Sequence, residues 1–210
     1  MYIKQAHSAM IVGATGCGKT EFVLDLLENE YKDFFENIVI LCPSIEFNRA
    51  YKNRTWIGED VGRPKASGVT VVNPVSKNGE EKLQEMLRHF YEKYKGSSTL
   101  YIIDDCSATK QMKKKTDALS MLAFSGRHAD QSVWILTQRY NSACKDFRTQ
   151  VKWVCLFYTK DKFSYNECLD ENDVIATREE KREMKEKLSR LKHSKLILFT
   201  EQPTGYEFKE

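Results

Sequence analysis

The sequence predicts an α/β fold: a mostly parallel central sheet covered by helices, with a hairpin at the C-terminal end. Three observations lead there. Short apolar runs alternate with longer helical patterns, which is how parallel strands joined by crossover helices read. A glycine-rich loop separates the first apolar run from the first helical pattern. Two later apolar runs end on polar residues, one on Asp104 and Asp105 and one on Thr137 and Gln138.

The elements follow in order. Ser8-Ala-Met-Ile-Val reads as a buried strand, and the helix after the loop is apolar at Phe22, Val23, Leu24, Leu26 and Leu27. Further strands are expected at 37–41, 69–72, 99–103, 133–137, 153–158 and 196–200, and helices at 19–29, 80–94, 112–124 and 178–192. Pro43, Gly58, Gly62, Pro64, Gly68 and Pro74 mark a loop-rich stretch from about 43 to 80. In the last helix Met184, Leu188 and Leu191 share a face, and Glu183–Lys187 and Glu186–Arg190 are favourable i,i+4 pairs. The end of the chain reads as a hairpin turning at 203–205. No repeat or low-complexity segment interrupts the pattern. The 210 residues predict one domain, 1–210, with a core at about 6–160 and a C-terminal helix and hairpin at about 161–210.

Composition narrows the class. Apolar residues make up 41% and charged residues 30%, ordinary for a soluble globular chain. The net charge of +3 does not argue for nucleic acid by itself. No run of about 18 apolar residues occurs, so no membrane span is expected, and the N-terminus lacks signal-peptide architecture. Cys17, Cys42, Cys106, Cys144, Cys155 and Cys168 show no paired spacing. They predict free thiols in a reducing compartment. His7, His89, His128 and His193 are too scattered to suggest zinc.

The chemistry begins with Gly13-Ala-Thr-Gly-Cys-Gly-Lys-Thr, which fits G-x-x-x-x-G-K-[ST] between a strand and a helix. The motif predicts a P-loop. Gly13, Ala14, Thr15, Gly16, Cys17 and Gly18 would cradle phosphates with their backbone N–H groups, helped by the helix N-terminus. Lys19 would reach the β- and γ-phosphates, and Thr20 would ligate Mg²⁺. Asp104, delivered from a neighbouring strand end, is the expected second Mg²⁺ residue. Asp105 could accept a proton from an attacking water or orient it. Gln138 could sense the γ-phosphate and position that water. Arg127, eleven residues earlier, could brace phosphoryl charge.

Taken together, 13–20, Tyr101-Ile-Ile-Asp-Asp and the Gly126-Arg-His to Leu-Thr-Gln segment resemble the FtsK–HerA superfamily of DNA-pumping ATPases. The resemblance covers about residues 6 to 160 and is nearest the genome-packaging ATPases of large DNA viruses and polinton-like elements. It implies a P-loop NTPase fold of the RecA/ASCE type. In that fold the strand carrying the sensor glutamine lies between the phosphate-loop strand and the acidic strand, which here places 133–137 and Gln138. It also implies a ring, a hexamer or pentamer, in which an arginine reaches a neighbour's site. Arg127 is the match for that finger, with Arg139 and Arg148 as rivals. The superfamily's second acid is commonly Glu; here Asp105 is one methylene shorter.

The implied activity is Mg²⁺-dependent ATP hydrolysis driving translocation of double-stranded DNA into a capsid. Partners would be DNA, further copies of the chain and capsid vertex proteins. The expected location is the reducing interior of an infected host cell, with association with the virion as a further expectation. Lys110, Lys113, Lys114 and Lys115, soon after the acids, are the candidate DNA contacts, offering phosphate affinity without sequence reading. They read equally well as a solvated helix start. Two alternatives remain at this stage: a nucleotide or nucleoside kinase, and an ATP-binding switch without motor activity.

Overall fold

A computed structural model describes residues 3–57, 66–76, 78–106 and 118–210. Its strands are β1 (Ser8–Val12), β2 (Asn37–Leu41), β3 (Val69–Val72), β4 (Thr99–Asp104), β5 (Gln131–Thr137), β6 (Val151–Phe157), β7 (Lys195–Phe199) and β8 (Gly205–Lys209). They form one sheet in the order β3-β2-β4-β5-β1-β6-β7-β8. The first six run parallel; β7 pairs antiparallel with β6 and β8 antiparallel with β7, so that the expected hairpin closes one edge of the sheet.

The apolar runs are continuous because the central strands are covered on both faces. β1 shows it most simply. Met10 and Val12 join one core with Leu87, Leu119, Leu169 and Leu188. Ala9 and Ile11 join the other with Val23, Leu24, Trp134 and Trp153. Helix α1 (Lys19–Glu28) covers the second face, with the short α2 (Arg49–Lys52) beside it. Helices α3 (Leu83–Lys93), α4 (Ala118–Ser125), α6 (Lys162–Asn172) and α7 (Arg178–Arg190) cover the first. The short α5 (Lys145–Arg148) leads into β6.

Several boundaries differ from expectation for visible reasons. Helix α3 starts at Leu83 rather than 80. Glu81 pairs with Val75 in an antiparallel bridge, and the Lys82 N–H donates to the Pro74 carbonyl at 2.8 Å. Helix α6 is unforeseen. Asp161 caps it by accepting from the N–H groups of Phe163 and Ser164 at 3.0 and 3.1 Å, and it buries Tyr165, Cys168 and Leu169. Helix α7 starts on a capping box, Thr177 with Glu180. Residues 112–117 of the helix expected at 112–124 lie outside the described residues.

At the N-terminal end of β1, His7 is buried among Tyr31, Trp134 and Trp153. The Trp134 indole N–H donates to His7 Nε2 at 3.0 Å, so that nitrogen is unprotonated. Nδ1 therefore carries the hydrogen and donates to the Gln5 carbonyl at 2.7 Å. Burial lowers the ring's pKa from 6.5 to about 4.

Two stability predictions follow from these contacts. The unfolded chain takes up a proton at His7 near pH 6.5 and the folded chain resists it down to about 4. Stability from this group is thus full at neutral pH and falls as pH drops through that window, by up to about 3 kcal/mol. Urea titrations between pH 7.5 and 4.5 should show a shallower pH slope for His7→Gln than for the wild type. Gly68, at φ +81°, would place a Cβ against the Glu36 carbonyl oxygen. Gly68→Ala should lower stability by about 2 kcal/mol or more, read as a fall in the urea midpoint.

Candidate functional site

The glycine-rich loop joins β1 to α1 at the C-terminal edge of the sheet. Its start is held by two neighbouring strand ends. The Gly13 N–H donates to the Thr137 carbonyl and the Ala14 N–H to the Tyr158 carbonyl, both at 3.1 Å. A Cβ on Gly13 would stand 2.6 Å from Phe157 Cβ and 2.7 Å from Cys17 Sγ, so only glycine fits. Gly16 and Gly18 have φ of +75° and +101°, the left-handed region that glycine enters without strain. Gly18 is also the residue from which α1 starts. The Lys19 ammonium folds back over the loop, donating to the carbonyls of Gly13 at 2.9 Å and Ala14 at 3.0 Å.

The first turn of α1 meets β4 directly. The Thr20 hydroxyl donates to Asp104 Oδ2 at 2.9 Å, across 84 residues of chain. The same oxygen accepts a second hydrogen bond at 2.9 Å, from the hydroxyl of Tyr51 on α2. Asp104 is 4% exposed, and burial pushes its pKa up. The bonds from Tyr51 and Thr20 and the charge of Lys19 work in the other direction. Burial, with the carboxylate of Asp104 beside it, raises the Tyr51 phenol well above its ordinary range, so it remains the donor.

Asp105 follows in the left-handed region at φ 57°, a conformation uncommon outside glycine though tolerated by Asp. It is exposed and lines the same cleft as Asp104. Gln138 follows β5, which lies between β1 and β4, and is also exposed to the cleft. The cleft has a volume of about 470 Å³. The sheet thus brings together the loop 13–18, Lys19, Thr20, Asp104, Asp105 and Gln138.

Other candidates lie elsewhere. Arg127 sits in a 3-10 turn, Gly126–Ala129, before β5, whereas Gln138 follows that strand. Seven residues of strand separate the two ends by about 20 Å. Arg127 therefore takes no part in the site of its own chain, which removes the expectation that it braces phosphate in place. It lines a different cleft, with Lys4, Glu36, Asp130 and Glu201. Arg148 is buried, paired with Glu171 at 2.7 Å and Glu167 at 3.3 Å, and stacked over Tyr140. Arg139, next to Gln138, has a side chain 71% exposed and a long 3.6 Å contact with Asp161. Lys110, Lys113, Lys114 and Lys115 lie outside the described residues.

The structure adds residues that sequence reasoning missed. Ser44, Phe47 and Asn48 from the segment between β2 and α2, and Arg49 at the start of α2, line the cleft. His193 lines it from the turn before β7, with Nδ1 donating to the Cys17 carbonyl at 3.0 Å. Neither group leaves a periodic or motif signal.

The donor chemistry suits Mg²⁺ with a nucleotide. Thr20 and Asp104 offer hard oxygens from one hydroxyl and one carboxylate. Among the described residues no group of three His, Cys, Asp or Glu forms a closed cage. Mg²⁺ is usually held this way, by one or two protein oxygens plus phosphates and water. The glycine cradle and Lys19 suit the phosphates. Among the described residues no helix is long and apolar enough to cross a membrane.

Comparison with known proteins agrees with this geometry. The family model described as poxvirus A32 protein matches residues 2–195. The genome packaging NTPase B204 from Sulfolobus turreted icosahedral virus 2, solved with AMPPCP, superposes with a TM-score of 0.65 at 19% identity. That match covers 100% of this chain and 99% of that one. B204, the DNA-packaging ATPase from Sulfolobus turreted icosahedral virus, gives 0.64 at 15% identity over 99% and 98%. The cytoplasmic domain of the Thermomonospora curvata type VII secretion ATPase EccC gives 0.56 at 14% identity, covering 96% of this chain and 25% of that one. At such identities the likeness establishes the fold. No curated protein sequence matches.

Proposed function

Because the chain belongs to the poxvirus A32 protein family, we propose that it is an ATP-driven motor that packages viral double-stranded DNA, hydrolysing ATP at interfaces between its own copies. One observation carries this reading most directly: the Thr20–Asp104 hydrogen bond, which joins the phosphate loop to the acidic strand end, with Gln138 on the strand between them. Supporting it are the fold shared with packaging ATPases of other viruses and the nucleotide analogue that one of those relatives holds.

The roles follow from placement. The loop N–H groups of 13–18 and the Lys19 ammonium hold the phosphates. Thr20 and Asp104 hold Mg²⁺, which when bound offsets charge on the β- and γ-phosphates. Asp105 orients the attacking water or takes its proton, and Gln138 positions that water against the γ-phosphate. In this reading Lys19 exchanges its loop carbonyls for phosphate oxygens, a stronger, charge-assisted pairing.

Arg127 supplies the finger to a neighbouring copy. Its place before β5, at the opposite end of that strand from its own cleft, fits action only between subunits. Arg139, exposed beside Gln138, is the rival. The lysines at 110 and 113–115 contact the DNA backbone, and capsid vertex proteins receive the assembled ring.

The test is ATP turnover over a protein concentration series, with and without double-stranded DNA, for the wild type, Lys19→Ala and Arg127→Ala. Turnover should rise with concentration and with DNA. Lys19→Ala should bind nucleotide poorly and be nearly inactive. Arg127→Ala should still bind ATP yet lose about 10³-fold or more in rate, as a missing arginine finger does. Flat turnover, insensitive to concentration, DNA and Arg127, would overturn the motor reading and leave a kinase or a switch.

A further inference from the structure

Among the described residues Arg49 is the arginine that lines the cleft. Arg54 is engaged by Glu21, Asp25 and Glu28 at 2.8–2.9 Å, and Arg148 by two glutamates. Arg49 is exposed, lines the cleft and has no ion-pair partner among the described residues. Among the described residues the fixed charges lining the cleft are two cations, Lys19 and Arg49, and three carboxylates, Glu21, Asp104 and Asp105. Even with Mg²⁺ bound, Lys19 alone leaves part of the charge of a triphosphate unmatched.

The backbone beneath Arg49 is held to the metal corner of the cleft. The Asn48 side chain accepts from the Ala50 N–H at 3.1 Å, which fixes the start of α2. Two residues past Arg49, the fully buried Tyr51 donates to Asp104 Oδ2. A guanidinium without an ion-pair partner among the described residues is thus carried by a turn that is hydrogen-bonded to the carboxylate expected to hold Mg²⁺.

The sheet order gives this cation a direction. α2 follows β2, which lies beyond β4 when counted from β1. Lys19 is therefore carried to the cleft by the connection leaving β1, and Arg49 by the connection leaving β2, the strand beyond β4. His193 enters from the side of β6 and β7. A phosphate chain laid from the loop toward Asp104 and Asp105 runs toward β4, the neighbour of the strand whose connection carries Arg49 into the cleft lining.

We propose that Arg49 is a second phosphate-binding cation of this site, acting within its own chain on the γ-phosphate, with Tyr51 as the residue that positions it. The inference rests on the nucleotide reading above and deepens it. It gives the site a means of telling ATP from ADP before any neighbouring copy is engaged. A guanidinium can bind two phosphate oxygens at once, which a lysine in its place cannot.

The experiment is equilibrium binding of a β,γ-methylene ATP analogue and of ADP, each with Mg²⁺, by titration calorimetry. Wild type, Arg49→Ala, Arg49→Lys and Tyr51→Phe are compared. Arg49→Ala should weaken the analogue by about 10-fold and ADP by less than about 2-fold, with Arg49→Lys recovering part of the loss. Tyr51→Phe, which also removes a hydrogen bond from Asp104, should weaken both nucleotides and the analogue more than ADP. Thermal midpoints for the Arg49 variants should match the wild type, since the side chain is exposed and has no ion-pair partner to lose among the described residues. Unchanged affinity for the analogue in Arg49→Ala, or equal losses for the analogue and ADP, would overturn the proposal while leaving the nucleotide reading intact. A wild-type protein that binds neither nucleotide would overturn both.

Discussion

The architecture turns on one oxygen atom. Asp104 Oδ2 is buried and accepts two hydroxyl hydrogen bonds, from Thr20 and Tyr51. A buried carboxylate is costly unless its oxygens are satisfied. These bonds therefore do more than decorate the strand end. They fasten three segments that share no local sequence: the start of α1, the end of β4 and the turn of α2. The cleft is the space that this fastening leaves between them. Its loop, acids and amide come from different parts of the chain, yet each leaves the sheet at the same edge.

That common edge follows from simple chemistry. Parallel strands need crossovers, crossovers need helices, and helices on both faces make every central strand apolar on both sides. The polar residues of β1, β4 and β5 are thereby pushed to the strand ends. Loop 13–18, the acids at 104 and 105 and Gln138 all stand there, and it is the reason that they meet.

This also explains what the sequence made legible. The strands could be read because two-sided burial leaves continuous apolar runs, and the phosphate loop because its glycines answer to backbone constraints at fixed spacing. Thr20, Asp104, Asp105 and Gln138 could be placed together once the strand order was known. Tyr51 could not, since its partner lies 53 residues away and its helix has only four residues. Arg49 was hidden in the same loop-rich stretch. Helix α6 escaped because charged and polar residues dominate it and only Tyr165, Cys168 and Leu169 mark its apolar side. Arg127 shows the opposite case. It is close to Gln138 in sequence and far from it in space, because a whole strand runs between them.

The bond from His193 to the Cys17 carbonyl has a wider meaning. It spans 176 residues and leads straight into β7, which pairs with β8 at the edge of the sheet. The loop is therefore part of a closed mechanical circuit with the tail of the chain. A movement of the Cys17 carbonyl must stretch this bond or carry the turn at His193 with it. Any coupling through the bond would be reciprocal, so that a shift of the turn acts on the loop with the same free energy as the loop acts on the turn. The entry to the C-terminal hairpin thus stands against the phosphate loop as well as beside the sheet.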